Sequence, residues 1–175
     1  MGFNLENIIE ISKDVKNALD RNMPVVALES TILTHGFKEP TNFELAVNAE
    51  KIISLHGAVP ATIALIKGKI KVGLSKDELK FICNDKSMKK LTTTDLSSNI
   101  LKKNSGGTTV AASLFIANIV NIKVFVTGGI GGVHQNFKNN FDISADLVEI
   151  SKSNIITICS GPKAILDIPK TIENL

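Results

Sequence analysis

The sequence predicts an α/β fold, a mixed β-sheet flanked by helices, on three observations. Short β-branched apolar runs alternate along the chain with longer segments whose apolar residues recur at helical spacing. Two strand-like runs, A-T-I-A-L-I and K-I-K-V-G-L, meet at Lys67-Gly68, a hairpin signal that places an antiparallel pair in the sheet. Glycine-rich stretches at 106–107 and 128–132 adjoin an apolar helix and an apolar strand, as in α/β proteins that bind ligands at the carboxyl edge of the sheet. With 175 residues the chain suits a single domain, 1–175, large enough to bury a real core.

Residues 5–19 place Ile8, Ile11, Val15 and Leu19 at helical spacing, which predicts an amphipathic first helix. Pro24 then introduces P-V-V-A-L-E-S-T-I, a strand that ends at Glu29. A carboxylate closing a buried run must be paired or shift its pKa, unless it simply emerges into water at the sheet edge. Thr41-Asn42-Phe43-Glu44 reads as a capping box for a helix that stops before Gly57. His56 falls at that helix's C-terminus, where a cation is favoured, so its reading is structural. The alternating K-I-K-V predicts an edge strand with one wet face, and Ser75 to Glu78 a second capping box opening the helix that carries Cys83.

Residues 86–104 are polar and lysine-rich and read as solvated surface; on spacing alone Lys90, ahead of L-T-T-T-D-L, is not distinguished from its neighbours. The run S-G-G-T-T-V-A-A-S-L-F-I-A-N-I-V predicts a helix entered directly from glycine, with Thr108, Thr109 and Val110 in its first turn. Such a start is either an anion site or a plain structural turn. Residues 122–126 read as a buried strand followed by Gly128, Gly129, Gly131 and Gly132, which permit unusual backbone or close approach to a ligand. Asp142 and Asp146 stand four apart and would share a face if the segment is helical. Residues 154–159 predict another buried strand. Pro162 then fits a first helical position, placing Lys163 in a first turn whose dipole disfavours a cation and so favours a nucleophilic amine.

Composition excludes several classes. The net charge of +3 comes without a basic block, and Trp and Tyr are absent, which argues against nucleic acid. No apolar run approaches the roughly 20 residues of a membrane span. Cys83 and Cys159 have no metal or disulfide spacing, and the acidic N-terminal segment is unlike a targeting peptide, so a cytoplasmic location is expected.

Six runs in order, A-L-E-S-T-I, H-G-A-V-P-A-T-I-A, G-G-T-T-V-A-A, T-G-G-I-G-G-V-H, F-D-I-S-A-D-L and S-G-P-K-A-I-L-D-I, resemble the pseudouridine-5′-phosphate glycosidase family. That family shares the indigoidine synthase A-like fold, so the resemblance implies an α/β/α arrangement with helices on both faces of the sheet. It implies reversible cleavage of pseudouridine 5′-phosphate to uracil and ribose 5-phosphate through a lysine imine, with one divalent metal, usually Mn2+, and a homotrimer. Carried over by motif, Lys163 is the nucleophile, Glu29 the general acid and Asp142 the metal residue, acting largely through water. Lys90 reaches the phosphate. Thr109, Val110, Ser144, Ala145 and Asp146 line the substrate site, and His134 either touches base or sugar or supports its loop. The family's chains are longer, so this one matches the N-terminal portion of the catalytic domain; T-T-T after Lys90 and Pro162 beside the lysine also depart from its pattern. A non-catalytic sugar-phosphate-binding remnant, a subunit of a split enzyme and a different imine-forming lyase are the other readings.

Overall fold

A computed structural model describes residues 8–135 and 142–175. Its strands are β1 (Ile9–Ile11), β2 (Val25–Leu28), β3 (Val59–Ile66), β4 (Lys69–Val72), β5 (Lys89–Leu91), β6 (Gly106–Thr108), β7 (Val124–Val126) and β8 (Ile156–Ile158). The helices are α1 (Lys13–Asp20), α2 (Thr41–Leu55), α3 (Lys76–Asn84), α4 (Leu96–Leu101), α5 (Val110–Ile119), α6 (Ala145–Lys152) and α7 (Ile168–Glu173), with one π-helical turn over Ile32–Gly36. The sheet runs β1-β4-β3-β2-β7-β8, and β6 joins it on β3 with β5 beyond. It is mixed: β3 is antiparallel to β4 and β6, while β1/β4, β2/β3, β2/β7, β7/β8 and β5/β6 are parallel.

β3 is the spine, with its last six residues all buried. Alternate side chains serve opposite layers. Ile63 and Leu65 join Val15, Val110, Leu114, Phe125 and Leu147 on the face of α1, α5 and α6. Ala64 and Ile66 join Leu33, Ala46, Leu79 and Ile82 on the face of α2 and α3. Helices therefore cover both faces, as the family resemblance implied. The hairpin also forms as read, with Lys67 (φ 49°) and Gly68 (φ 78°) both left-handed, the backbone that a two-residue turn between twisted strands demands. Among the described residues no helix is long and apolar enough to cross a membrane.

β3 outlasts β2, and that mismatch makes the site. β2 pairs with β3 only as far as Thr62, and β6 takes over the same edge from Ala64. The carbonyl of Ile63 falls in the fork between them. Ser30, directly after the β2 carboxylate, fills the fork: its hydroxyl donates to Ile63 O (2.6 Å) and accepts from Thr108 N (2.9 Å). The Thr108 hydroxyl donates to the same carbonyl (2.7 Å). The carboxyl ends of β2, β6 and β7 consequently open toward one place.

Several sequence expectations are corrected. The first helix begins only at Lys13, because Ser12 caps it and residues 9–11 pair with β4 instead; the apolar spacing spans a strand, a cap and a helix. β4 is thus not an edge strand, and Lys71 on its wet face is pinned between Glu10 and Glu78. The Ser75–Glu78 capping box is present, but Thr41 makes none, since the helix starts after Pro40 and Thr41 is already inside it. Lysine-rich 86–104 contributes β5 and α4 rather than surface alone. β8 is not buried: Ile156 and Ile158 are 67% and 53% exposed.

Candidate active site

β2 and β7 are parallel and in register at Leu28 and Val126, so the residues that follow them, Glu29 and Thr127, emerge side by side. The Thr127 hydroxyl donates to Glu29 Oε1 at 2.6 Å. Burial pushes the Glu29 carboxyl above the ordinary carboxylate range; the Thr127 bond opposes this, the nearby Asp146 charge reinforces it, and Lys163 opposes it.

Asp146 is the brace of the site. Only 8% exposed, it accepts from Ala111 N through Oδ1 (2.9 Å) and from Gly131 N through Oδ2 (2.8 Å). One carboxylate thus ties the start of α5 to the glycine loop after β7. This revises the anion-site reading of that helix start. Thr108 belongs to β6, Thr109 is the N-cap accepting from Ala112 N (3.3 Å), and the Ala111 donor is taken by the protein's own carboxylate. Neither Asp146 nor Asp142 lies as the i, i+4 reading required. Ser144 caps α6, which puts Asp146 in its first turn and Asp142 outside it.

Gly131 and Gly132 work through close approach. None of Gly128, Gly129, Gly131 and Gly132 has a positive φ. A Cβ on Gly131 would strike the Ser144 hydroxyl and Asp146, and one on Gly132 would strike Thr171. The loop is zipped to the segment after β8 by Ile130 N→Gly161 O (3.1 Å), Lys163 N→Ile130 O (3.2 Å) and the His134–Leu166 bridge. Lys163 rides on that zipper and not on a helix. Pro162 makes a bridge to Ile130, a turn follows at Ala164, and the next helix starts only after Asp167, whose side chain caps it. The helix-dipole argument for Lys163 therefore does not apply; what brings the amine to the site is the crossing of two loops.

Together these elements enclose a cavity of about 250 Å³. Nine of the ten sequence-derived candidates line it: Glu29, Lys90, Thr109, Val110, His134, Ser144, Ala145, Asp146 and Lys163. Lys90 stands exposed on β5. Asp142 is the exception. It is half exposed, with Oδ2 3.8 Å from His134 Nε2, and does not line the cavity. Among the described residues no three His, Cys, Asp or Glu side chains converge. One carboxylate beside an imidazole fits a hard divalent cation that keeps most of its waters, and does not fit one held in a closed protein cage. A larger groove of about 820 Å³ lies at the opposite end of the sheet, between α1, α2 and β4, and contains none of the candidates.

Sequence reasoning missed Thr31 and Thr92, which line the cavity, and Ser30 and Thr127, which hold its walls. Thr127 carried a signal in hindsight: a hydroxyl placed directly between a β-branched run and a glycine pair. Its meaning depends on the β2/β7 register.

The family model described as "Indigoidine synthase A like protein" matches residues 14–175. The chain belongs to this family. Similar curated proteins are pseudouridine-5′-phosphate glycosidases of Petrotoga mobilis, 54% identical over 167 residues (95% of this chain, 55% of the relative), and of Clostridium botulinum, 52% identical over 172 residues (98% and 56%). Among solved structures, the prealnumycin C-glycosynthase AlnA in complex with ribulose 5-phosphate superimposes with a TM-score of 0.87 at 37% identity, over 96% of this chain and 54% of that one. An indigoidine synthase A-like protein from Thermotoga maritima does so with a TM-score of 0.87 at 33% identity, over 100% and 56%. The chain spans about half the length of the curated relatives it matches.

Proposed function

We propose that this chain carries the sugar-phosphate side of a pseudouridine-5′-phosphate glycosidase, cleaving the C–C glycosidic bond to give uracil and ribose 5-phosphate. The observation that carries the reading is a lysine amine and a carboxyl of raised pKa facing one small cavity, with a second lysine at its rim. A C–C bond does not yield to the two-carboxylate chemistry of O-glycosidases, because the departing carbon has no lone pair to protonate. An imine route removes that obstacle. Glu29, holding its proton above the usual carboxylate range, delivers it to the ribose ring oxygen as the ring opens. The Lys163 amine, having shed a proton, bonds C1. The bonded nitrogen gives up a second proton, and the lone pair so freed forms the C=N bond and expels the uracil carbon, which takes up a proton; water finally hydrolyses the imine and frees ribose 5-phosphate and the lysine.

In this proposal Lys90 meets the phosphate as a point charge, while Thr109, Val110, Ser144 and Ala145 shape the sugar pocket. Asp146 acts through position: it fixes the loop that delivers Lys163, and its charge adds to the burial that raises the Glu29 pKa. His134 contacts the sugar or base from the rim. Mn2+ beside Asp142, held mainly through water, would neutralise phosphate charge when bound. A homotrimeric assembly and a cytoplasmic location belong to the same proposal.

The test is borohydride trapping with ribose 5-phosphate, followed by peptide mass mapping. A reduced adduct on Lys163, absent from Lys163→Ala, is the expected result. A folded sample that gives no adduct defeats the catalytic reading and favours a non-catalytic sugar-phosphate binder.

A further inference from the structure

Thr171 does not line the cavity, yet it is fully buried, on the α7 helix that follows Lys163. Its hydroxyl makes two bonds: it accepts from Val133 N (2.9 Å) and donates to Asp167 O (2.7 Å). Asp167 N in turn donates to Val133 O (2.8 Å). Val133, itself fully buried, is thus gripped at both its N–H and its carbonyl by the start of α7. Gly132 beside it leaves no room for a Cβ, which would strike Thr171.

The grip reaches Lys163 through the backbone. Lys163 N donates to Ile130 O (3.2 Å), and Lys163 O accepts from Leu166 N (3.0 Å). The turn from 163 to 166 therefore spans two anchors on the glycine loop, Ile130 at one end and, through Asp167, Val133 at the other. Lys163 itself is exposed and lines the cavity, so burial does little to hold it and these anchors set its place. Asp146 fixes the near side of the loop through Gly131 N; Thr171 fixes the far side.

A buried hydroxyl is costly unless its hydrogen bonds are made. An apolar side chain of similar outline would fill the same space, and both bonds that offset the cost of the hydroxyl go to the crossing that carries the lysine. Bond formation needs the reacting atoms about 3–3.5 Å apart and aligned, and a misplacement of about 1 Å can cost on the order of 100-fold in rate.

We propose that Thr171 is a positioning residue for Lys163: its hydroxyl locks the 130–134 loop against the 161–167 segment in the register that presents the amine to the sugar carbon. The inference rests on the imine-forming reading of Lys163 and extends it to a residue outside the cavity.

The test is trapping with ribose 5-phosphate and cyanoborohydride, which reduces an imine and spares the free aldehyde. The rate of adduct formation on Lys163 is followed by peptide mass mapping across ribose 5-phosphate concentrations, well below the Tm of each variant. In Thr171→Val the rate at saturation should fall about 10–100-fold. The half-saturating concentration should stay within about twofold of the parent, because a loss confined to the reacting step leaves ground-state binding alone and Lys90 is carried by β5, which is held by β6. Thr171→Ser should restore the parental rate, and the Lys163 and Leu166 amides should exchange faster in the Val variant alone. Thr171→Ala replaces Thr171→Val, with the same expectation, if the Val side chain prevents folding. A parental rate in the variant without the hydroxyl overturns the proposal, as does a loss that appears wholly as a higher half-saturating concentration. Failure of Thr171→Ser to restore the rate overturns it in favour of packing by the methyl group. A folded parent that gives no adduct removes the imine reading and this inference with it, whereas an adduct in the parent formed equally fast in the variant removes this inference alone.

Discussion

Thr127→Val is the most direct probe of how the site sets its acid. The substitution keeps the shape of the side chain and removes the hydroxyl that donates to Glu29 Oε1 at 2.6 Å. That bond favours the ionised carboxyl; burial and Asp146 favour the neutral one. With the hydroxyl gone, the opposing influences act with only Lys163 and a backbone contact against them, so the Glu29 pKa rises further. A hydrogen bond to a charged group contributes about 1.5–3 kcal/mol, and one pKa unit corresponds to about 1.4 kcal/mol. Part of the loss is recovered because a protonated carboxyl needs the bond less, so the Glu29 pKa is expected to rise above that of the parent. The assay is carbon-13 titration of the Glu29 side-chain carboxyl in labelled protein, with Thr127→Ser restoring the original value. A titration that stays put, or moves down, would falsify the account of Glu29. In turnover the same change should carry the alkaline limb of the kcat profile upward by a similar amount, because a general acid loses activity as pH rises through its pKa.

Glu29→Gln should alter stability in a pH-dependent way. The folded state binds the Glu29 proton more tightly than the unfolded chain, so its stabilising contribution is complete below the unfolded pKa and is lost as pH rises through the raised folded value. The Gln variant should therefore gain Tm relative to the parent as pH increases through that window, measured by thermal melts across pH. Ser30→Ala leaves Thr108 N without its buried acceptor and should cost about 1–3 kcal/mol, or about 2–4 °C of Tm per kcal/mol for a chain of this size. A melt within 1 °C of the parent, to order of magnitude, would mean the fork between β2 and β6 is not held by Ser30. Gly131→Ala forces Ser144 and Asp146 aside; overpacking of about 1–3 kcal/mol is expected, together with less borohydride trapping at Lys163, because the displaced loop carries the lysine's backbone partner Ile130.

Much of the site was legible in the chain because its residues sit in short ordered runs at strand ends. Glu29 closing an apolar run, glycines at 128–132 and Lys163 after a glycine-proline pair mark places where a sheet meets its loops. Two physical readings from local spacing nevertheless fail. Lys163 owes nothing to a helix start, and Asp142 and Asp146 do not share a helix face. Local spacing cannot distinguish a proline that opens a helix from one that pairs with a neighbouring loop, since both leave the same residues adjacent in sequence.

By itself the sequence determined the α/β class, the hairpin at Lys67-Gly68 and the helix that begins at Lys76, while most of the cavity residues were named through the family resemblance of its ordered motifs. The first three are local matters. These depend on periodicity, turn chemistry and capping, which act over a few residues. Only the tertiary structure decided that Ser30 plugs a fork in the sheet, that Thr127 faces Glu29 across 98 positions, that Asp146 spans 35 to reach Ala111, and that the outer edge of β8 pairs with no strand among the described residues. Each of these is a matter of which strand lies beside which and in what register. Hydrogen bonds between distant strand ends are set by the packing of the whole sheet, and no local pattern encodes them.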